Sequence, residues 1–410
     1  MIVFPSLAYL AVWATVFAIP WEVVVVIPGV GTISRVIGLV AFALGILAAI
    51  ARGRVRLPTR FHALAVGFLV WGCLSFFWAI DPGSALLQVN RNLQLIALLW
   101  LLWEFSDTPA RRRGLYQAYV FGAYVAVIST LLNYHAGITR VGGTRFSAAG
   151  DSNPNDLAFL LVLALPIGWH LAVTGKSFWL NWINRLYLPL GLLGLFLTGS
   201  RSGLIVAMVA LSIVPWTLPR LSFRIKTAAV VIAVISVATA IAYVPDRSWE
   251  RLGTTREQIT EGTFNDRTRI WKAGLSVYPE HPIIGVGING FAEATIKPLA
   301  DFRGAHNAYI SVLIELGIVG LLLFLAVLLD AFLAARAAPW HERKLLLVLV
   351  FTLVLGLMPR AWEGKKPTWV FLALLQASAA AALPRARQAW VDDSARGVTL
   401  RRPHAIPRTL

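Results

Sequence analysis

The stretch NAYISVLIELGIVGLLLFLAVLLDAFLAA, residues 307–335, decides the fold class of this chain. It exceeds the roughly 20 apolar residues that cross a bilayer, and Glu315 and Asp330 are its only charged side chains. A run this long and this apolar predicts a membrane-spanning helix. The helix can begin at Asn307, because an asparagine side chain caps the free backbone N–H groups of a first turn.

The composition of the whole chain agrees with a membrane protein. Its 410 residues are 58% hydrophobic and only 14% charged, whereas a soluble domain has about 25% charged residues. Such a chain has too few polar side chains to cover a water-facing surface. Its 16 tryptophans also fit, since the indole ring prefers the membrane interface.

Reading the remaining apolar runs in the same way predicts an all-α integral membrane protein with about twelve transmembrane helices. The predicted spans lie near residues 7–27, 35–51, 62–80, 86–105, 114–133, 154–174, 185–199, 203–219, 226–244, 307–335, 342–360 and 368–384. We therefore expect nine spanning helices within residues 1–244 and a large loop with helices of its own at 245–306. Three more spans within 307–384 and a basic tail at 385–410 complete the predicted organisation.

Basic residues cluster in alternate connections between these spans. Counting twelve spans puts all of the clusters on one side: Arg52, Arg54, Arg56 and Arg60; Arg111, Arg112 and Arg113; Arg220, Arg224 and Lys226; Arg336, Arg343 and Lys344; Arg385, Arg387, Arg401 and Arg402. Positive connections stay in the cytoplasm, so both termini should be cytoplasmic. The segments 134–153, 199–203 and 245–306 should then face the periplasm of a bacterial inner membrane. A net charge of +17 is typical of nucleic-acid-binding proteins. Here the basic residues lie in short clusters between apolar runs, and this distribution argues against nucleic-acid binding.

Several kinds of site are excluded or disfavoured by the residues present. Cys73 is the only cysteine, so the chain has neither an intrachain disulfide nor a cysteine-built zinc site. Gly285-Val286-Gly287 lacks the strand-to-helix context of a dinucleotide site, and no Walker-type loop exists. Paired carboxylates at helical spacing are also missing. We expect no metal and no cofactor.

Two arginines on the predicted periplasmic side are candidate phosphate ligands. Arg201 lies in the short glycine-flanked connection Gly199-Ser200-Arg201-Ser202-Gly203, where a backbone can approach a ligand closely. Arg267 should lie in the first turn of a helix capped by Asn265, where free N–H groups also favour anions. The structural alternatives are a snorkelling anchor for Arg201 and a surface ion pair for Arg267.

A candidate base follows the large predicted loop. His306 precedes Asn307 at the start of the long helix, and a neutral imidazole accepts a proton at neutral pH. The alternatives are an imidazolium that hydrogen-bonds a donor phosphate and a residue that merely begins the helix. Arg145, Arg269, Trp271 and Asn307 are further candidate substrate-binding residues, and Trp271 shares a helix face with Arg267. Asn153-Pro154-Asn155-Asp156 is typical of a helix start.

The order of these motifs resembles the O-antigen ligase and polymerase superfamily. The matching residues are Arg145 with Asn153-Pro154-Asn155-Asp156, the connection 199–203, Arg267-Thr268-Arg269-Ile270-Trp271, His281-Pro282-Ile283-Ile284-Gly285-Val286-Gly287, and His306-Asn307-Ala308-Tyr309 running on to Gly320. Each motif is weak alone. Their order between residues 145 and 320, together with the long loop, carries the resemblance.

The resemblance implies a lipid-sugar-dependent, GT-C-like glycosyltransferase of all-helical architecture. Its ligase branch implies an undecaprenyl-diphosphate glycan as donor, a lipid A-core sugar as acceptor, and inverting transfer without a metal. The family's pyrophosphate arginines carry onto Arg201 and Arg267, and its catalytic histidine onto His306. Arg267 is preferred to Arg269 because of its spacing from Trp271. Membrane lipids are a further expected partner, and no nucleic-acid partner is expected.

Three other functions stay open. A polymerase would use a second lipid-linked glycan as its acceptor, and a protein-directed enzyme would transfer the glycan to a polypeptide. A lipid or ion transporter is the alternative from a different class. Transporters usually place polar residues and broken helices near mid-bilayer, in repeated halves. Here the candidate residues cluster on one predicted face.

The predicted topology can be tested by labelling single cysteines in a variant whose Cys73 has been replaced. Cysteines near Ser248 and Thr139 should react with a membrane-impermeant reagent added from outside the inner membrane. Cysteines near Thr59 and Ser222 are the matched internal controls and should react only after permeabilisation. Reversed labelling would contradict the periplasmic placement of the candidate site.

Overall fold

A computed structural model of the chain describes residues 3–139, 145–149, 152–243, 249, 253 and 266–380. Each of the twelve predicted segments overlaps a helix in this part of the chain. The long helices are α1 (Val3–Ala18), α2 (Ile33–Arg52), α3 (Arg60–Leu74), α4 (Pro82–Phe105), α5 (Pro109–His135), α6 (Pro154–Thr174), α7 (Phe178–Leu197), α8 (Arg201–Leu211), α10 (Phe223–Tyr243), α11 (Arg267–Val277), α14 (Ala308–Ala337), α15 (Trp340–Leu357) and α16 (Lys366–Ala380). The short ones are α9 (Ile213–Thr217), α12 (Phe291–Ala294) and α13 (Ile296–Leu299).

Strand structure within the described residues is confined to one small ribbon. Strands β1 (Val26–Ile27) and β2 (Gly31–Thr32) pair antiparallel, with Val26 opposite Thr32. The rest of the described chain is helix and connecting segments, so the predicted all-α class is confirmed. The predicted tail at 385–410 and most of segment 245–265 lie outside the described residues.

Eight of the described helices are long and apolar enough to cross a membrane. They are α1 to α7 and α14, and α14 is the most apolar, with a mean hydropathy of 2.9 over its best window. The chain is therefore a multi-pass membrane protein. Crossing by α8 with α9, by α10, by α15 and by α16 remains a prediction.

The connections between helices divide between the two ends of the bundle. At one end, ion pairs join the predicted cytoplasmic connections: Arg52 to Glu104 at 2.8 Å, Arg60 to Asp330 at 3.1 Å and Arg112 to Glu342 at 3.9 Å. At the other end, Arg145 bonds to Thr198 and Trp362 bonds to Asp156. The connections that charge alternation assigned to a common side therefore contact one another.

The long helix α14 is broken at Gly317, whose backbone is not helical (φ 66°, ψ −168°). The break frees three carbonyl groups, which find other donors. Val286 N donates to Ile314 O at 3.0 Å, Gly287 N to Glu315 O at 2.9 Å, and Trp71 Nε1 to Leu316 O at 3.1 Å. Unpaired backbone groups are costly where water is absent. The segment around Val286 therefore completes the hydrogen bonding of α14.

Close backbone approach explains the two glycines at this crossing. A Cβ atom on Gly317 would lie 2.1 Å from Ile283 O, and one on Gly285 would lie 2.4 Å from Glu315 O. Both glycines also have positive φ angles, which a side chain disfavours. The motif Gly285-Val286-Gly287 thus serves helix packing, in agreement with the rejected dinucleotide interpretation.

Replacing Gly317 tests this crossing. Gly317→Ala should lower the free energy of unfolding by about 3 kcal/mol, because a left-handed alanine costs about 1–2 kcal/mol and each lost backbone hydrogen bond about 1 kcal/mol. Gly67→Ala in α3 is the control, since an added Cβ there meets nothing within 4 Å. Thermal unfolding in detergent should separate the two variants. Equal midpoints would contradict the close approach.

Candidate anion-binding site

The connection between α7 and α8 turns sharply and begins a helix at Arg201. Gly199 makes the turn with φ 55°. Ser200 then caps α8, its hydroxyl accepting a hydrogen bond from Gly203 N at 3.2 Å. Arg201 is the first residue of α8, so its side chain leaves the chain beside a helix N-terminus. This position agrees with the sequence prediction.

The start of α6 lies against this turn. Asn153 caps α6 by accepting from Asn155 N at 2.9 Å, as predicted. The Asn155 side chain accepts from Arg145 Nη2 at 2.6 Å and from Ser200 Oγ at 2.9 Å. Arg145 Nε also donates to Thr198 O at 2.7 Å. Arg145 therefore ties the connection before α6 to the connection before α8 and holds one wall of the site.

Arg360 is a member of the site that the sequence analysis missed. It follows α15, its side chain is only 3% exposed, and its guanidinium lies 3.6 Å from Asp156 and 3.5 Å from Ser202 Oγ. Its buried Nε atom has no hydrogen-bond acceptor within the described part of the chain. Burial lowers the pKa of Arg360 to about 10, although Asp156 opposes this effect. Asp156 also accepts from Trp362 Nε1 at 3.0 Å.

The same charge asymmetry that singled out Arg201 contained the signal for Arg360. With twelve spans, the connection after the eleventh span lies on the predicted periplasmic side. Arg360 borders that connection. Like Arg201, it is a basic residue on the predicted periplasmic side, where basic residues are disfavoured. The predicted end of the eleventh span at residue 360 concealed it, because the arginine appeared to belong to the helix.

Arg267 is the first residue of α11, as the sequence predicted. The predicted cap, Asn265, lies outside the described residues, and the residue before the helix is Asp266 in a left-handed conformation (φ 67°), which makes no capping hydrogen bond. Burial lowers the pKa of Arg267. No hydrogen bond or ion pair joins its guanidinium to another described residue, so it can bind a ligand.

Arg269 is directed elsewhere. Its Nη2 donates to Leu299 O at 2.5 Å, and its Nη1 lies 3.8 Å from Asp266. It also lines an open cavity of about 550 Å³ on a different face of α11, together with Lys272 and Pro298. Its contacts therefore differ from those of Arg267, although both arginines were predicted to bind substrate.

His306 is fixed from both sides. Trp271 Nε1 donates to Ala305 O at 3.0 Å, just before it. Just after it, Asn307 caps α14 by accepting from Tyr309 N at 2.9 Å and Ile310 N at 3.1 Å. His306 itself has a positive φ of 49°, which an ordinary residue adopts only where its surroundings impose it. Trp271 and Asn307 thus position His306, whatever their part in substrate binding.

The charges around His306 favour its neutral form. Burial of the imidazole lowers the pKa of His306, Arg267 lowers it further, Asp156 raises it, and Arg360 lowers it again. The histidine therefore lies within electrostatic reach of residues from three separate connections. A pKa below the ordinary value near 6.5 leaves the imidazole neutral at pH 7, which is the form that accepts a proton.

The arrangement suits an anion. The N-termini of α6, α8, α11 and α14 approach one another at this end of the bundle, and each is the positive end of a helix dipole. Arg201, Arg267 and Arg360 add positive charge, and Asp156 is the acid that faces Arg360 and His306. Within the residues that the structure describes, no group of three or more His, Cys, Asp or Glu side chains is placed to hold a metal ion. We call Arg201, Arg267, His306, Arg360 and Asp156 the cationic site.

The fold and the cationic site define an integral membrane protein that gathers cationic side chains and helix N-termini at one end of a helix bundle. The sequence profile described as O-antigen ligase matches residues 186–325, a range that includes Arg201, Arg267 and His306. Residues 186–325 therefore match the O-antigen ligase family, and the resemblance inferred from the motifs is confirmed.

Two relatives extend this similarity beyond the domain. The chain is 26% identical over 359 residues to the O-antigen ligase of Pseudomonas aeruginosa, which covers 81% of this chain and 82% of the relative. It is 24% identical over 289 residues to the exopolysaccharide production protein ExoQ of Rhizobium meliloti, covering 65% of this chain and 63% of the relative. Both similarities are distant and extend well outside the profile match.

The electrostatics of the cationic site can be tested at His306. Arg267→Gln should raise the pKa of His306, because a neighbouring cation that disfavours imidazolium is removed. Arg269→Gln is the matched control and should leave the pKa unchanged. The pH dependence of His306 carbethoxylation by diethyl pyrocarbonate, followed by mass spectrometry, reports this pKa. A shift caused by the control but not by Arg267→Gln would contradict the assigned neighbours.

Proposed function

We propose that the chain is an O-antigen ligase that transfers a glycan from undecaprenyl diphosphate to a sugar hydroxyl of lipid A-core. The observation that carries the proposal is the cationic site, which gathers arginines, helix N-termini and a neutral histidine on an O-antigen ligase family domain. A lipid diphosphate has its charge at headgroup depth. Arginine binds such phosphates in a bidentate manner, which fixes their orientation as well as their charge.

The proposed chemistry needs little beyond these groups. The acceptor oxygen attacks the anomeric carbon, the bond to the diphosphate oxygen breaks, and the leaving diphosphate takes the electron pair. Arg201 and Arg267 bind that diphosphate and neutralise the charge that develops on it. The His306 imidazole takes the hydroxyl proton. Attack opposite the leaving group inverts the anomeric centre.

Arg360 and Asp156 support this site in the proposal. Arg360 is buried beside Ser202, one residue from Arg201, and its charge adds to the field on the diphosphate. Asp156 holds Arg360 and also faces His306, where it stabilises the imidazolium that forms during the reaction. Asp156 thus interacts both with the permanent cation of Arg360 and with the imidazolium that forms on His306 during the reaction.

We further propose that the protein lies in the bacterial inner membrane with twelve spans, cytoplasmic termini and the cationic site facing the periplasm. The ion pairs between the arginine-rich connections at the opposite end support this orientation. A GT-C-like arrangement follows from the same proposal, since helices frame the site.

A polymerase is the second candidate, because ExoQ is also a relative. Ligase is preferred because the similarity to the O-antigen ligase covers more of both chains. A transporter is less well supported. The break in α14 is filled by backbone hydrogen bonds from Val286 and Gly287 rather than left open to a ligand.

The proposal predicts that binding and bond formation can be separated by mutation. In proteoliposomes, Arg267→Ala should weaken binding of the lipid-diphosphate glycan, since a charge-assisted bidentate contact is lost. His306→Ala should bind the donor normally but form product about 10²–10⁴-fold more slowly, which is the usual contribution of a positioned base. Donor affinity and product mass would be measured on the same preparations.

Arg269→Ala is the matched control for these variants and should affect both quantities only mildly. The wild-type rate should rise with pH as His306 loses its proton, and because its pKa is lowered, this rise should be complete by neutral pH. Near-normal turnover in His306→Ala would eliminate the histidine as the base. Product formed by joining two donor molecules would identify a polymerase, and donor transport without a new glycosidic bond would reject both enzymes.

A further inference from the structure

A second, smaller cavity lies beside the cationic site. Its volume is about 250 Å³, and it is bounded by the first turns of α4, the segment 288–292, the beginning of α14 and the connection between α15 and α16. Its wall includes Ala305, which adjoins His306, and Ala361, which adjoins Arg360. The cavity wall therefore reaches the chain neighbours of His306 and Arg360, and none of Arg201, Arg267 and Arg360 lines it.

The wall of this cavity carries more buried polar side chains than is usual in so apolar a chain. Gln88 and Asn92 are buried in α4, where Gln88 Nε2 donates to Asn92 Oδ1 at 3.2 Å. Opposite them, Ser311 Oγ donates to Glu363 Oε1 at 2.8 Å and lies 3.3 Å from Glu315 Oε1. Buried polar groups of this kind are retained at a cost unless they are satisfied.

The two acids have different roles. Glu315 accepts from Asn289 N at 2.8 Å and from Phe291 N at 3.4 Å, so its carboxylate holds the neighbouring segment in place. Glu363 has a single bond, from Ser311, and its buried Oε2 atom has no donor among the described residues. Glu363 is therefore the acid in this wall with an oxygen left to accept a hydrogen bond from a ligand.

We propose that this cavity is the acceptor pocket and takes one uncharged, hydroxyl-rich sugar ring, with Glu363 accepting a hydrogen bond from a ring hydroxyl. The inference rests on the function proposed above. A sugar hydroxyl both donates and accepts, and so it matches a wall of carboxylates and amides. Phe68 and Phe291 also line the cavity and give an apolar surface for the C–H face of the ring.

Size and charge disfavour other occupants. A cavity of about 250 Å³ lies below the roughly 300–1,000 Å³ of drug-sized sites, so it suits a single ring rather than a longer glycan. Arg91 and Lys365 line the cavity together with the two acids, so its charges are mixed and favour neither an anion nor a cation. A ring held there would direct one hydroxyl past Ala305 to His306. Transfer would follow the course already given, with the diphosphate leaving towards the arginines.

Direct binding tests the pocket without the transfer reaction. Methyl glycosides of neutral hexoses would be added to the full chain in detergent, and saturation-transfer NMR would report their contact with the protein. Wild type should give a signal, and Glu363→Gln should weaken binding about tenfold or more, as expected for one hydrogen bond to a charged group. Ala292→Leu should block binding by filling the cavity without removing a polar group.

Glu293→Gln is the matched control, because Glu293 is exposed and adjoins Ala292 but does not line the cavity. It should bind the glycosides as wild type does. Equal signals from wild type, Glu363→Gln and Ala292→Leu would overturn the pocket, and so would absence of a signal from wild type. Because no donor is present, this result is independent of whether the chain transfers a glycan.

Kinetics then connect the pocket to the proposed function. With lipid A-core as acceptor, Glu363→Gln should raise the acceptor KM about tenfold or more while the donor KM stays within about twofold. A change in donor KM alone would assign the cavity to the donor and overturn the inference. If wild type bound the glycosides but formed no glycosidic bond, the proposed function would fail while the sugar pocket stood.

Discussion

The ion pair between Asp156 and Arg360 is the contact on which the arrangement of the site depends. Arg360 is almost fully buried, and a buried guanidinium without an anionic partner would be very costly. The pair joins the start of α6 to the connection before α16, and Arg360 reaches the turn before α8 through Ser202. Asp156 therefore holds Arg360 in a site that already contains Arg201 and Arg267. Without the Asp156 carboxylate, no acid of the cationic site would offset the repulsion among these arginines.

A second constraint comes from the break in α14. A continuous helix would satisfy its own carbonyl groups and leave no place for the segment around Val286. Breaking the helix at Gly317 lets that segment pack against it, and Glu315 then accepts backbone N–H groups from Asn289 and Phe291. The same few residues thus build the wall of the smaller cavity and the support beneath His306.

The helices could be predicted because their signal is local. Apolar runs and charge alternation located every described long helix except α11, which the motif Arg267-Thr268-Arg269-Ile270-Trp271 located instead. Arg267 and His306 were predicted to lie at helix starts, and they do, whereas Arg201 was predicted to lie in a connection and is the first residue of α8. Arg360 was missed because the predicted span ended on it, whereas Glu363 and Gln88 were not found because each depends on contacts between segments far apart in the sequence. A single sequence gives no measure of such contacts, whereas a cap or a turn is encoded within a few residues.

The contrast between Trp271 and Arg269 shows what spacing alone leaves undetermined. Spacing placed Trp271 on the face of Arg267, and its indole in fact holds the carbonyl of Ala305, so that it acts on the position of His306. Arg269 is two residues from Arg267 and bonds to Leu299 instead. About half a turn of helix therefore separates a side chain that positions the base from one that bonds to the end of α13. Donor phosphates on the arginine side and an acceptor ring on the Glu363 side would meet only at His306. That placement makes the histidine, held at a strained backbone angle by its two neighbours, the point where the two halves of the site are joined.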